Sequence, residues 1–87
     1  MSYKLYVIRD AQSCFQPQVY AFQNDSIAKR FAYQMYHEAV DKEPNSPLAS
    51  FPSDFALYCV GSFNTNGSLD PLSVPVQICS FYSFKEV

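Results

Sequence analysis

The sequence predicts a small α+β domain: an antiparallel sheet of three to four strands with one main helix packed on one face, in the order β-β-α-β-β. Two observations predict this class. Segments of alternating apolar residues lie before and after a single stretch with helical periodicity. The 87 residues are also too few for two cores, so we expect residues 1–87 to form a single domain. Within it, residues 73–87 are expected to form an extended tail or an edge strand.

The first half of the sheet is predicted to be a hairpin. Tyr3–Arg9 carries apolar residues on both alternate sets, as strands do. A polar segment that ends in Pro17 interrupts this pattern, and a short second strand follows at Gln18–Phe22. A connection of this length suits an antiparallel pair with a wide loop.

The helix is predicted to begin at Asn24-Asp25 and to end at Glu43-Pro44. Asn and Asp accept hydrogen bonds from the free N–H groups of a first helical turn, whereas the residue before a proline avoids the α conformation. Apolar side chains between these signals recur at helical spacing and form one face. The residues of this face are Ile27, Ala28, Phe31, Ala32, Met35 and Ala39.

The second half of the sheet begins with the clearest strand pattern, Phe55–Phe63, and a turn signal follows at Asn64–Gly67. A fourth strand near Ser68-Leu69 is expected to be cut short by Pro71, because proline cannot donate to a strand ladder. Val76–Cys79 is predicted to be a further edge strand or part of the tail.

A single helix can cover only one face of such a sheet. We expect it to cover the face with Leu5 and Val7, which leaves an apolar, ring-rich face exposed. Self-association, occlusion by the C-terminal tail and stacking of unpaired bases remain as alternative uses of that face. The candidate partner or oligomer face, together with the aromatic tail, comprises Tyr6, Ile8, Tyr20, Tyr58, Val60, Phe81 and Tyr82.

Charge and motifs exclude several classes of function. The net charge of −2 argues against a strong electrostatic hold on duplex DNA or on an anionic membrane. The three cysteines form no C-x-x-C pair, so we expect packed, reduced thiols and no metal site. No catalytic signature or phosphate-binding loop is present, which predicts a protein that is not an enzyme and needs no cofactor. No apolar run is long enough to span a membrane.

The outer arc of the predicted helix is the candidate nucleic-acid site. Lys29, Arg30, Tyr33 and His37 share this arc, and Arg9 extends it if the fold brings it near. A guanidinium beside a tyrosine suits a phosphate and a stacked base. The alternative is an ordinary solvated helix face, with His37 in water.

Three stretches, in this order and spacing, resemble the small nonstructural protein of gokushovirus-type microviruses, which are single-stranded-DNA bacteriophages related to the chlamydial phages. The resemblance covers about residues 3–72 and is carried by KLYVIRD at Lys4–Asp10, by Asn24-Asp25 followed by Ala28, Arg30 and Phe31, and by SDFALYCVGSF at Ser53–Phe63 running into Asn66-Gly67.

The resemblance implies a non-virion protein in the cytoplasm of the infected bacterial host that acts in viral DNA synthesis or in the packaging of single-stranded genomes. Two hypotheses follow. In the first, an oligomer of the chain binds single-stranded DNA weakly through the basic cluster. In the second, the chain is an adaptor that binds a host replication or defence protein through its exposed aromatic sheet face.

Overall fold

The structure is a computed structural model that describes residues 1–12 and 14–85. Across these residues the chain forms one antiparallel sheet of four strands and one long helix, which confirms the predicted α+β class. Short helical turns precede the third strand and follow the fourth. The elements are β1 (Ser2–Asp10), β2 (Tyr20–Phe22), α1 (Asp25–Lys42), α2 (Pro47–Ser50), a 3-10 turn (Pro52–Asp54), β3 (Phe55–Asn64), β4 (Leu69–Ser80) and a C-terminal 3-10 turn (Phe81–Phe84).

The ends of α1 lie where the sequence predicts them. The side chain of Asn24 accepts a hydrogen bond of 3.0 Å from the N–H of Ile27, which satisfies a free donor of the first turn. Asp25 adds a negative charge at the positive end of the helix dipole. The helix stops at Lys42, because Glu43 precedes a proline and leaves the α conformation.

The strand order in the sheet is β2-β1-β3-β4, with β2 and β4 at the edges. β1 and β2 pair antiparallel, with Tyr6 opposite Tyr20, as the predicted hairpin requires. The expectation that the fourth strand ends at Pro71 is wrong, because β4 continues through Pro71 and Pro75. An edge strand tolerates both prolines, since the N–H that each lacks is not needed on an unpaired side.

The ladder between β3 and β4 is irregular at its centre. Cys59 pairs with Val76 and Gly61 with Pro71, so residues 72–75 bulge out opposite Val60. Glycine at 61 permits this close approach, because a Cβ there would lie 2.5 Å from the backbone oxygen of Asp70. The strand itself therefore remains paired at both ends of the bulge.

The core lies between α1 and the sheet face that carries Tyr6 and Ile8, so the prediction that the helix covers Leu5 and Val7 is wrong. Both alternate sets of β1 are apolar, and the pattern alone could not choose between them. Ala28 of α1 belongs to this core and packs close to the face of β1 that the helix covers. The buried residues of this core are Tyr6, Ile8, Ala28, Ala32, Tyr36, Phe55, Leu57, Cys59 and Phe81.

The C-terminal segment forms the end of the edge strand β4 and then a turn from which Phe81 enters the core. Residues 73–80 belong to β4, and Phe81 then turns into the interior, where it is 0% exposed. The expected placement of Phe81 on an uncovered surface is therefore wrong. The last two residues of the predicted tail, Glu86 and Val87, lie outside the residues that the structure describes.

Candidate nucleic-acid interface

The sheet face turned away from α1 is called the open face here; it carries Val7 and Arg9 of β1 and Ala56, Tyr58 and Val60 of β3. Alternate residues of β3 are buried against the helix, and the residues between them are only half-buried. The register places Val7 opposite Tyr58 and Arg9 opposite Ala56, so these side chains share one face. The open face therefore carries both an arginine and a tyrosine of the sheet.

A phenylalanine from the loop after β1 completes this cluster. Phe15 forms an isolated bridge with Arg9, and its ring meets the Tyr58 ring edge-on at 5.3 Å between centroids. The guanidinium carbon of Arg9 lies 5.8 Å from the centre of the Phe15 ring. The N–H of Gln16 donates to the carbonyl of Ile8 at 2.8 Å and ties the loop to the strand. Phe15 is 38% exposed, so one part of its ring faces solvent.

Phe15 is a candidate site residue that the sequence analysis missed. It lies in a segment of polar residues and proline, where neither strand nor helix periodicity selects it. The signal that could have selected Phe15 is an apolar ring isolated in a polar loop, because such a ring stabilises the fold only by packing on a neighbouring surface. The bridge to Arg9 identifies that surface as the open face.

A polar recess of about 150 Å³ adjoins the cluster, and both Arg9 and Tyr58 also line it. The Tyr58 hydroxyl donates to Oε1 of Gln77 at 3.2 Å across the β3–β4 pair. Ser53 and Asp54 of the first 3-10 turn form another part of its wall. The open face thus combines two rings in edge-on contact, a guanidinium and a small hydrogen-bonding recess.

The four predicted helix residues do not join Arg9 in one patch, because α1 packs on the other side of the sheet. Lys29 and Arg30 are exposed on α1. The Tyr33 ring lies 4.3 Å from the ring of His37 and edge-on to Phe84 at 5.7 Å. The helix patch is therefore a separate surface, partly covered by the C-terminal turn.

The solvated alternative placed His37 in water, but the residue is half-buried. Its Nε2 is buried, and among the described residues it has no hydrogen-bond partner. Tyr33 and Tyr36 flank the ring at 4.3 and 5.3 Å between centroids. Packing between these rings therefore accounts for the position of His37 on α1.

The predicted partner face is divided between two environments. Tyr58 and Val60 lie on the open face, and Tyr82 is 46% exposed in the C-terminal turn. The other four residues of the predicted partner face contribute to the packing around α1, because the helix covers the set of β1 residues that was expected to be exposed. These residues are Tyr6, Ile8 and Phe81, which are buried, and Tyr20, which packs 4.8 Å from the Phe31 ring.

Asp25 has a distinct electrostatic environment at the start of α1. Its carboxylate accepts a hydrogen bond of 2.6 Å from the Tyr6 hydroxyl and pairs with the Lys4 ammonium at 3.4 Å. The hydrogen bond from Tyr6, with the charge of Lys4, holds the pKa of Asp25 below its usual value. Burial and the same carboxylate raise the pKa of the Tyr6 hydroxyl well above its usual value, so Tyr6 stays a donor.

The thiols of Cys59 and Cys79 are packed in the fold and are not activated for reaction. Cys59 is buried and donates to the carbonyl of Gly61 at 3.6 Å. Burial raises the pKa of the Cys79 thiol, which keeps it protonated near neutral pH. Within residues 1–12 and 14–85, no group of three His, Cys, Asp or Glu side chains is arranged to hold a metal ion.

Comparison with known proteins assigns the family. None of the helices in the described part of the chain has the length and apolar character needed to cross a membrane. Neither the curated proteins nor the solved structures gave a match to this chain. A family model described as Phage ORF5 protein matches residues 3–84, which is nearly the whole sequence. The chain therefore belongs to the Phage ORF5 protein family and is a phage protein.

Proposed function

We propose that this phage protein binds single-stranded DNA weakly through the open face, as a nonstructural protein of the microvirus type. The role would lie in viral DNA synthesis or packaging in the host cytoplasm and would require neither catalysis nor a cofactor. The observation that supports this is the cluster of Arg9, Phe15 and Tyr58. Exposed rings stack on any unpaired base, and a guanidinium beside them can hold the phosphate.

The charge of the molecule favours weak binding. With a net charge of −2 and one arginine in the cluster, few phosphates can be neutralised. Each neutralised phosphate of a single strand adds about 0.7 to the slope of log affinity against log salt. A protein with this surface is expected to bind by stacking, with a shallow salt dependence. Binding of this kind would favour single strands over duplexes, because paired bases offer no free ring face.

The test uses fluorescence anisotropy with labelled oligo-dT of about 15 nucleotides at low salt. Phe15→Ala should weaken binding by about fivefold or more, since it removes a stacking ring. Arg9→Gln should weaken binding and lower the salt slope by roughly 0.7. The matched control is Arg30→Gln on α1, which removes the same charge from the other side of the sheet and should leave binding unchanged.

Two outcomes would contradict this assignment. If Arg30→Gln weakens binding and Arg9→Gln does not, the helix patch is the DNA site. If the parent chain does not bind oligo-dT even at low salt, the DNA-binding proposal is wrong. Circular dichroism of each variant separates a lost contact from a lost fold; Phe15 is partly exposed, so its truncation should leave the fold intact.

An adaptor that binds a host protein is the second candidate. The bulge of β4 favours it, because Leu72 and Val74 project from the sheet edge and Val74 is 69% exposed. Exposed aliphatic side chains at an edge strand suit a protein partner better than a nucleic acid. Absence of DNA binding in the experiment above would favour this adaptor role.

A further inference from the structure

We propose that the groove between α1 and the segment that follows it binds a basic amphipathic helix of a partner protein. Apolar side chains of that helix would enter the groove, and its lysine or arginine residues would meet the acidic rim. The groove has a volume of about 450 Å³ and is lined by α1 from Phe31 onward and by Glu43, Ser46 and Leu48. It is separate from the open face and from β4, so this site does not depend on DNA binding.

The floor of the groove is an apolar row on α1. Phe31, Met35 and Ala39 follow one another at intervals of four residues, so their side chains form a single ridge along the helix. All three are half-buried, as is Leu48 on the opposite wall, and they therefore keep some apolar surface exposed. A ridge of this kind, beside a second wall, is the surface on which the side chains of another helix pack.

The length of the ridge sets the spacing of the side chains that could fill the groove. From Phe31 to Ala39 the helix rises by about 12 Å. Two residues at i and i+7 of a partner helix are separated by roughly 10.5 Å along its axis. A partner helix with apolar residues at i, i+4 and i+7 would therefore match the ridge.

The rim of the groove is acidic. The exposed residues Glu38 and Glu43 line it, and no lysine, arginine or histidine is among its described lining residues. Within the described part of the chain Glu43 makes no ion pair, and Glu38 has only a surface pair with Lys42 at 3.4 Å. The groove also lies along the C-terminal half of α1, towards the negative end of the helix dipole. Lysine or arginine beside the apolar residues of a partner is complementary to this charge, and a nucleic acid is not.

The test uses two labelled peptides of about 14 residues, or four helical turns. Both carry leucine at the same helical positions, and the remaining positions are lysine in one peptide and glutamine in the other. These two residues have similar helix propensities, so the comparison isolates charge. In fluorescence anisotropy at low salt, without DNA, the lysine peptide should bind the parent chain about fivefold more tightly, because two exposed ion pairs add to the apolar contact.

The double variant Glu38→Gln with Glu43→Gln should bring this ratio close to unity. The matched control is Asp54→Asn with Asp70→Asn, which removes the same two charges at residues outside the groove and should keep the parent ratio. Equal binding of both peptides by the parent chain would overturn the basic character of the partner. Loss of the ratio in the control as well would overturn the role of the rim.

NMR spectroscopy locates the bound peptide. Methyl resonances of Met35 and Leu48 should shift when the lysine peptide is added, whereas those of Val74, which is 69% exposed on β4, should not. Shifts at Val74 alone would place the peptide on the β4 bulge and overturn the groove as its site. No binding of either peptide would overturn the docking site altogether, and the binding of oligo-dT by the open face would be unaffected by that result.

Discussion

The contact between Tyr6 and Asp25 is the polar interaction that joins the core to the start of α1. The Tyr6 side chain is buried, and its hydroxyl reaches the first turn of the helix, where Asp25 accepts from it at 2.6 Å. A buried hydroxyl without a partner would cost free energy, so Asp25 satisfies a group that the core could not otherwise enclose. The same carboxylate interacts favourably with the helix dipole.

This contact predicts a specific dependence on pH. The pKa of Asp25 is lower in the folded chain than its usual value of about 3.9. Ionised Asp25 therefore stabilises the fold at pH values above about 3.9, and this contribution is lost as the pH falls through the lowered pKa. Tyr6→Phe should raise the pKa of Asp25 towards its usual value and reduce the part of acid destabilisation that comes from this group.

Carboxyl resonances followed by NMR during a pH titration measure the pKa of Asp25 directly. Tyr3→Phe is the control, because the Tyr3 hydroxyl contacts the sulfur of Met1 at 3.2 Å and not Asp25. It should leave the pKa of Asp25 unchanged. An unchanged pKa in Tyr6→Phe would show that the charge of Lys4, and not the hydrogen bond, sets the ionisation of Asp25.

At the scale of elements, the C-terminal 3-10 turn closes one end of the core. Phe81 is fully buried, and its ring meets Phe84 edge-on at 5.6 Å. Phe84 in turn contacts Tyr33 and packs near Tyr36 of α1. The turn therefore links the edge strand β4 to the helix, and an element that looks peripheral in the sequence carries part of the core.

Phe81→Ala should lower the free energy of unfolding by about 3–5 kcal/mol, because it removes a fully buried ring and leaves a cavity. Tyr82→Ala is a control from the adjacent position, where the side chain is 46% exposed, and should change stability by at most about 0.5 kcal/mol. Urea denaturation followed by far-ultraviolet circular dichroism measures both. Equal, small effects would mean that the turn is not docked in solution.

The elements also show which features the sequence could predict. The ends of α1 were predictable because Asn24 and Pro44 act on the backbone locally. The length of β4 was not, because the effect of Pro71 depends on whether its strand lies at an edge. The buried face of β1 was not predictable either, since Leu5 and Ile8 are equally apolar and only the helix contacts distinguish them.

The candidate site was only partly predictable, because it too depends on which strands the fold brings together. Arg9 and Tyr58 were each selected from the sequence, but for different surfaces, because nothing local indicates that β1 and β3 are neighbours. The link between them is Phe15, which reaches the open face from a loop. Pairings between distant segments, such as this one, depend on the register of the sheet, and periodicity does not report register.

In the whole molecule, the sheet separates the open face from the outer face of α1, two surfaces that the sequence analysis had grouped into one candidate site. The open face carries Arg9 with the partly exposed ring of Phe15, and α1 carries Arg30 on the far side of the sheet. One strand of nucleic acid cannot contact both by a short path. The acidic net charge makes a continuous footprint less favourable still. Binding through one face leaves the helix side free for a different partner.

Self-association through the open face is the last prediction. The half-buried residues Leu5 and Val60 would bury more apolar surface if a second copy covered them, and a standard interface needs about 800 Å² per partner. We expect a dimer in sedimentation velocity experiments over a range of concentrations. Val60→Lys should weaken this dimer by about tenfold or more, because it places a charge in the interface.

Val40→Lys, on α1, is the matched control and should leave the dimer intact. Oligo-dT should dissociate the parent dimer, since both would use the open face. A monomer at every concentration, or a dimer that only Val40→Lys disrupts, would contradict this use of the open face.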